Sequence, residues 1–426
     1  EMLTSLIIAL LFLAGSTTCR QPTYQSMKGH QVVSFTIDNE EQLEMLRALE
    51  ETNQIDVWTR DSNLGIGPND VRIPSDSVAL DKLRSMGITP HVVVQDVNTL
   101  LEKEMASFTR NISFDDSKND WFTEYHRYEE IVQRLQFLEA KYPTWVTFVP
   151  SIGPTFEGEG IRALKISTGG TGKNNFLSNG CIHAREWISP ATIMFIIETF
   201  LEKLAENDPE AISILDKVNL LFVPVLNVDG YKYTWDTNRM WRKSRNINVG
   251  STARGVDLNR NFDNNWGGPG SSPNPSSDTY RGASAASEPE TNALVNFYND
   301  NQPVSMTIDW HSYSQYILRP WAWTRTPSDC EEKCASVSNE MAAVIRAESG
   351  KVYSAGIWYT LLYPSSGTVQ DYCYAESTSP SSDAVGYTVE LRPTSSNPGF
   401  VLPASEIIPT GEENYEGFIV AAKAAA

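Results

Sequence analysis

His183 and Glu186 stand three residues apart in the stretch Gly180-Cys181-Ile182-His183-Ala184-Arg185-Glu186-Trp187. An imidazole nitrogen and a carboxylate oxygen both suit a borderline-soft divalent ion such as zinc. A catalytic zinc takes three protein ligands and keeps one place open. The chain has 5 histidines, at 30, 91, 126, 183 and 311, so candidates for the third ligand are few. His311 is favoured because it follows the apolar, β-like run 304–310, and strand ends are where site residues gather. Cys181, on the approach to His183, is read as a buried free thiol in preference to a nucleophile or ligand.

Four downstream clusters suit the same chemistry. Asn238-Arg239-Met240-Trp241-Arg242-Lys243 brings guanidinium groups to a loop, and Gly255-Val256-Asp257-Leu258-Asn259-Arg260 sets an amide and a guanidinium beside an acid. Tyr363 lies in the turn-rich Leu361-Leu362-Tyr363-Pro364-Ser365-Ser366-Gly367, and Glu390 ends the β-like run Tyr387-Thr388-Val389-Glu390. A carboxylate inside a strand is costly unless it lines a cavity. Each cluster alone fits solvated charge or a structural ion pair; the set, in this order, fits one active site.

These residues need a scaffold that brings distant segments together. Helical patterns at 128–141, 190–204, 288–299 and 334–348 alternate with β-rich runs at 144–152, 161–166, 218–226, 304–310 and 384–391. That alternation predicts an α/β fold around a buried mixed sheet with its site in strand-end loops. Residues 263–286, rich in Gly, Ser, Pro and Asn, form a long surface loop. Upstream, strands at 30–38, 55–60, 70–73 and 91–97 and helices at 39–51 and 77–85 follow the β-α-β-β-α-β order of a ferredoxin-like sandwich. That region holds no cluster of metal-type or nucleophilic side chains, so its expected role is to cover or help fold the rest. A helix over 97–109 leads to Arg110, a site for a trypsin-like protease, and Asn111-Ile112-Ser113 is a glycosylation sequon.

With 426 residues, 41% hydrophobic and 10% aromatic, the chain can bury a sizeable core. A net charge of −19 argues against nucleic acid or an anionic membrane as partner. The apolar run 6–14 followed by Gly15, Ser16, Thr17 and Thr18 has the length of a signal-peptide core, which predicts secretion. The 5 cysteines are too few for a disulfide scaffold; one bridge among Cys330, Cys334 and Cys373 is expected, with the pair left open.

The order and wording of HAREW, NRMWRK, GVDLNRNFD, HSYSQ, LLYPSSG, TVELR and LPASEIIPT resemble zinc carboxypeptidases of the pancreatic A/B type in their pre-pro form, with an overall similarity to arthropod digestive members. The resemblance implies an α/β fold with a mixed central sheet flanked by helices. It divides the chain into a signal peptide at 1–18, a ferredoxin-like activation propeptide at 19–110 and a catalytic domain at 111–426. It implies one zinc per chain on His183, Glu186 and His311, with Asp257 holding His183 from behind. Glu390 is then the general base and Arg242 the oxyanion donor. Asn259 and Arg260 grip the C-terminal carboxylate, Tyr363 closes over the bound residue, and Arg185 and Arg239 sit further along the channel. Gln370 forms the floor of the side-chain pocket, with Ala322 and Trp358 lining it. An uncharged floor disfavours Lys or Arg, because a buried cation needs a counter-charge. The expected activity is release of one neutral C-terminal amino acid from peptides by a secreted, monomeric enzyme, after activation by a trypsin-like protease. The competing readings are a non-catalytic peptide-binding relative and another zinc amide hydrolase.

Overall fold

The structure, a computed structural model, describes residues 21–59, 63–108, 112–379 and 384–426. The expected signal peptide, Cys19, Arg110 and Asn111 lie outside the described residues.

The first part is a four-stranded antiparallel sheet, β1 (His30–Ile37), β2 (Asp56–Val57), β3 (Gly67–Pro74) and β4 (His91–Val94), in the order β2-β3-β1-β4. Helices α1 (Glu40–Glu51) and α2 (Val78–Ser85) join its strands as the ferredoxin-like reading requires. Asn39 caps α1 by accepting from the Gln42 amide at 3.0 Å, and the Gln42 side chain accepts from the Asp38 amide at 2.7 Å. This reciprocal pair satisfies donors that a helix start leaves open. Leu43, Leu46 and Leu49 of α1 pack on Val33, Phe35, Val57 and Val71 to form a core of its own. Helix α3 (Val97–Ser107) then runs towards the second part.

The second part is built on an eight-stranded sheet: β5 (Val146–Val149), β6 (Ala163–Ile166), β7 (Asn174–Gly180), β8 (Val218–Val223), β9 (Val304–Ser312), β10 (Tyr316–Arg319), β11 (Ser354–Ile357) and β12 (Val385–Leu391). The order is β11-β10-β12-β9-β7-β8-β6-β5. The central neighbours β12, β9, β7 and β8 are all parallel, and β6 and β10 join them antiparallel. Every residue of β8, β9 and β12 is buried, as expected for strands covered on both faces. The cover comes from α4 (Lys118–Trp121), α5 (Tyr128–Lys141), α6 (Ile188–Ala205), α7 (Pro209–Leu215), α8 (Val228–Asp236), α9 (Pro289–Asp300), α10 (Glu331–Ser349), α11 (Trp358–Leu361), α12 (Val369–Ala375) and α13 (Ile407–Ala425).

Several elements differ from the sequence reading. The strand expected over 55–60 shortens to β2, and that over 91–97 ends at Val94 so that Val97 can open α3 behind its cap, Asp96. Strand β9 runs on through His311 to Ser312, so the third candidate ligand lies within the strand instead of after it. Helix α13 was not read at all, because Pro409, Gly411 and Gly417 interrupt its pattern. Gly411 is there for close packing: a Cβ would meet the Phe195 ring of α6 at 2.4 Å. Cys330 and Cys334 form the disulfide, at the start of α10, and Cys181 and Cys373 are buried free thiols. Among the described residues no helix is long and apolar enough to cross a membrane.

Candidate active site and metal centre

Because β7, β9 and β12 are parallel, their C-terminal ends share one edge of the sheet. His183 follows the end of β7, His311 lies at the end of β9, and Glu390 lies at the end of β12 in direct register with His311. Paired residues of parallel neighbours point to the same face, so Glu390 is set beside the histidine by register alone.

The turn after β7 is clamped to β9. Gly180 leaves no room for a side chain, since a Cβ would meet Ser189 Oγ at 2.4 Å. That hydroxyl accepts from the Cys181 amide at 2.9 Å and donates to the Trp310 carbonyl at 2.6 Å. Cys181 itself takes the left-handed conformation, φ 51°, and so turns the chain sharply. Asn227, just beyond β8, donates to the Ile182 carbonyl at 3.0 Å. His183 and Glu186 are thereby fixed over the end of β9.

The ligand-type atoms of His183, Glu186 and His311 all lie within 4.8 Å of one another. His183 Nδ1 is 2.9 Å from Glu186 Oε1, and His311 Nδ1 is 3.1 Å from His183 Nδ1 and 3.3 Å from Glu186 Oε2. Both rings thus turn the same nitrogen inward. Each outer nitrogen meets a buried carboxylate: His183 Nε2 lies 3.2 Å from Asp257 Oδ1, and His311 Nε2 lies 2.5 Å from Asp309 Oδ2. An outer N–H given to a carboxylate leaves the inner lone pair for a metal and fixes the ring. The Ser312 amide donates to Glu186 Oε2 at 3.0 Å. Burial pushes the Glu186 carboxyl up, but the two imidazoles outweigh it and hold it at about 2. Burial likewise opposes the charge on Asp257, yet Arg242, Arg260 and His183 hold it well below the usual range. Two imidazoles and an ionised carboxylate, backed by further carboxylates and sealed from solvent, form a donor set that fits zinc.

Asp257 links this centre to the other expected residues. Its Oδ2 accepts from Arg242 Nη2 at 2.8 Å, and its Oδ1 accepts from the Asn259 amide at 3.0 Å. Asn259 Oδ1 accepts from the Val369 amide at 3.0 Å, while Arg260 donates through Nε to the Gly270 carbonyl at 2.8 Å. Arg242, Asn259, Arg260, Gln370 and Glu390 are all buried. Tyr363 is half-buried in the connection between α11 and α12.

Arg185 and Arg239, expected further out along the substrate channel, are both buried. Arg185 donates to Asp56 Oδ1 and to the Val57 carbonyl, each at 3.1 Å, and stacks over Phe400 at 4.2 Å. Arg239 makes a two-pronged pair with Glu104 at 2.8 and 3.0 Å. Trp58, wholly buried, sits edge-on to Phe400 at 5.7 Å, and its carbonyl accepts from the Tyr313 hydroxyl. The sequence reading missed Asp309, although its place two residues before His311 on a strand puts both on one face. It also missed Asp56 and Trp58, whose roles depend on docking between distant segments.

The family model for zinc carboxypeptidase matches residues 131–417, and that for the carboxypeptidase activation peptide matches residues 33–104. The chain is 35% identical to carboxypeptidase A1 of Rattus norvegicus over 398 residues, covering 92% of each. Its fold superposes on the crystal structure of thrombin activatable fibrinolysis inhibitor with a TM-score of 0.82 at 28% identity, covering 93% of this chain and 98% of that one. Carboxypeptidase A from Helicoverpa armigera gives 0.81 at 28% identity, covering 94% and 98%. The chain belongs to the zinc carboxypeptidase family: it is a metallocarboxypeptidase that uses one zinc ion and carries its activation peptide.

Proposed function

We propose that this is a secreted exopeptidase precursor which, once its prosegment is cut away, removes a single neutral residue from peptide C-termini. The observation that carries this reading is the convergence of His183, Glu186 and His311 within 4.8 Å, beside a buried Glu390. We take 1–18 as signal peptide, 19–110 as prosegment and 111–426 as catalytic domain; the separate apolar core of the small sheet supports that division.

A zinc ion held by the three ligands supplies Lewis acidity toward water and toward a carbonyl oxygen. Glu390 takes a proton from the attacking water and returns it to the departing amine. Arg242, its plane fixed by Asp257, stabilises the charge that grows on the carbonyl oxygen; one such donor contributes roughly 3–4 kcal/mol to catalysis. Asn259 and Arg260 hold the free carboxylate of the last residue, which makes the enzyme an exopeptidase. Tyr363 closes over that residue and excludes water. The uncharged Gln370 supports A-like over B-like specificity. In the precursor, Asp56, Val57 and Trp58 occupy the groups that an incoming peptide needs.

Trypsin-processed protein should release single amino acids from peptides with a free carboxylate and spare amidated ones. Chelation should abolish the activity and zinc restore it. Processed, zinc-loaded protein that leaves every such peptide intact would sink the reading, whereas turnover of amidated peptides would favour another zinc amide hydrolase.

A further inference from the structure

Asp309 lies inside β9, two residues before His311 and on the same face of the strand. It is only 2% exposed. A buried carboxylate is costly unless a charge of opposite sign meets it. Asp309 Oδ1 accepts from Asn179 Nδ2 at 2.6 Å, and Asn179 is its register partner on β7. Asp309 Oδ2 lies 2.5 Å from His311 Nε2. Among the described residues its ion pair is with His311 alone. An amide and a neutral imidazole supply hydrogen bonds but no counter-charge.

The acid behind the other histidine is placed differently. Asp257 Oδ2 accepts from Arg242 Nη2 at 2.8 Å, and Asp257 Oδ1 accepts from the Asn259 amide at 3.0 Å while lying 3.2 Å from His183 Nε2. The charge of Asp257 is thus shared with a guanidinium. That of Asp309 falls on one imidazole, at a shorter distance. Asn259 Nδ2, 3.5 Å from His311 Nε2, is itself a donor and cannot hold the ring proton in place of Asp309.

We propose that Asp309, oriented by Asn179, is a positioning residue that sets the zinc affinity of the site, and the proposal rests on the ligand set proposed above. By accepting from Nε2 it keeps the His311 proton on the outer nitrogen and leaves the Nδ1 lone pair facing His183 and Glu186. It also supplies charge. Glu186 offsets only half the charge of a divalent ion, and Asp257 is engaged by Arg242. Asp309 offsets the remainder from one hydrogen bond away, through the imidazole. The carboxylate that lacks a cation among its direct partners gains one when a metal binds, and a neutral residue at 309 would leave positive charge uncompensated in a buried site.

The test measures the zinc Kd of the uncut chain by competition with a chromophoric chelator, so it needs no catalytic activity. Asp309→Asn should raise the Kd by about 10–100-fold. The exchange Asn179→Asp with Asp309→Asn keeps both side-chain volumes, the net charge and a hydrogen-bonded chain to His311, but moves the carboxylate one residue away from the ring. Its Kd should stay raised as in the single variant. Wild-type affinity in the exchanged protein would reduce Asp309 to a structural hydrogen-bond partner and overturn the proposal, and this comparison decides even if Asp309→Asn alone fails to fold. An unchanged Kd in Asp309→Asn would overturn it as well, while leaving the ligand set intact. Failure of the unaltered chain to bind zinc, or full affinity in His311→Ala, would remove the ligand set and this proposal together.

Discussion

The four-stranded sheet gathers Val33, Phe35, Val57, Val71 and Ile73 into an apolar core and keeps most charge at its rim. The eight-stranded sheet gathers His183, Glu186, Asp309, His311 and Glu390 at the C-terminal ends of its central parallel strands, all buried. Burying a charge is tolerated only when it is paired, and removing one partner is far more costly than the pair is worth. In the large sheet the pairs converge on one point, the candidate metal centre. In the small part, the deeply buried acid Glu104 meets Arg239, and Asp56, on the rim, meets Arg185. Buried charge therefore marks two things here: the candidate metal centre, and the seam between the two regions.

The largest effect should come from the centre. Glu390→Gln should lower kcat of the processed enzyme by about 10²–10⁴-fold with zinc content unchanged. Metal analysis alongside steady-state kinetics checks this, and a variant that keeps its kcat would remove Glu390 from the reaction.

The seam should respond next. Asp56→Ala takes from the buried Arg185 guanidinium its nearer carboxylate and leaves it Asp278 Oδ2 at 3.8 Å, a change that weakens the seam by less than the roughly 3–5 kcal/mol of a fully broken buried pair. Uncut Asp56→Ala protein should therefore cleave short peptides far faster than uncut wild type. Equal rates would mean that restraint does not pass through Arg185.

A smaller, pH-dependent effect should arise beside it. Glu50 of α1 accepts from Ser277 Oγ at 2.9 Å and from the Asp278 amide at 2.7 Å. Burial, then the neighbouring Asp278, push its carboxyl from 4.5 up to about 7. The docked state therefore favours the protonated form. Its contribution is complete below pH 4.5 and fades as pH rises through about 7. Protection of the α1 amides, corrected for the intrinsic pH dependence of exchange, should fall between pH 5 and pH 8, and Glu50→Gln should flatten that fall. An unchanged profile in the variant would assign the pH response to another group.

How much of this was legible in the sequence depended on how local each signal is. His183 and Glu186 are three residues apart, so their joint role could be read directly. His311 and Glu390 could be read because an apolar run that ends in a ligand or an acid is an improbable strand unless it borders a site. The ferredoxin-like order was legible because its strands and helices are punctuated by Asn39, Ser77 and Gly87. Helix α13 was not, since its glycines serve contacts with α6 and α10 that no periodicity reports. Asp56, Trp58 and Glu104 stayed silent for the same reason: their partners lie more than a hundred residues away.

Strand β2 ends at Val57, in the small apolar core, and the next residue, Trp58, lies in the large one. When the prosegment departs, that indole passes from full burial into water, and one of the chain's 11 tryptophans changes its surroundings completely. Maturation should thus carry its own optical signal, a red-shifted emission that a Trp58→Phe precursor would lack. Conversion could then be followed in real time without any added substrate.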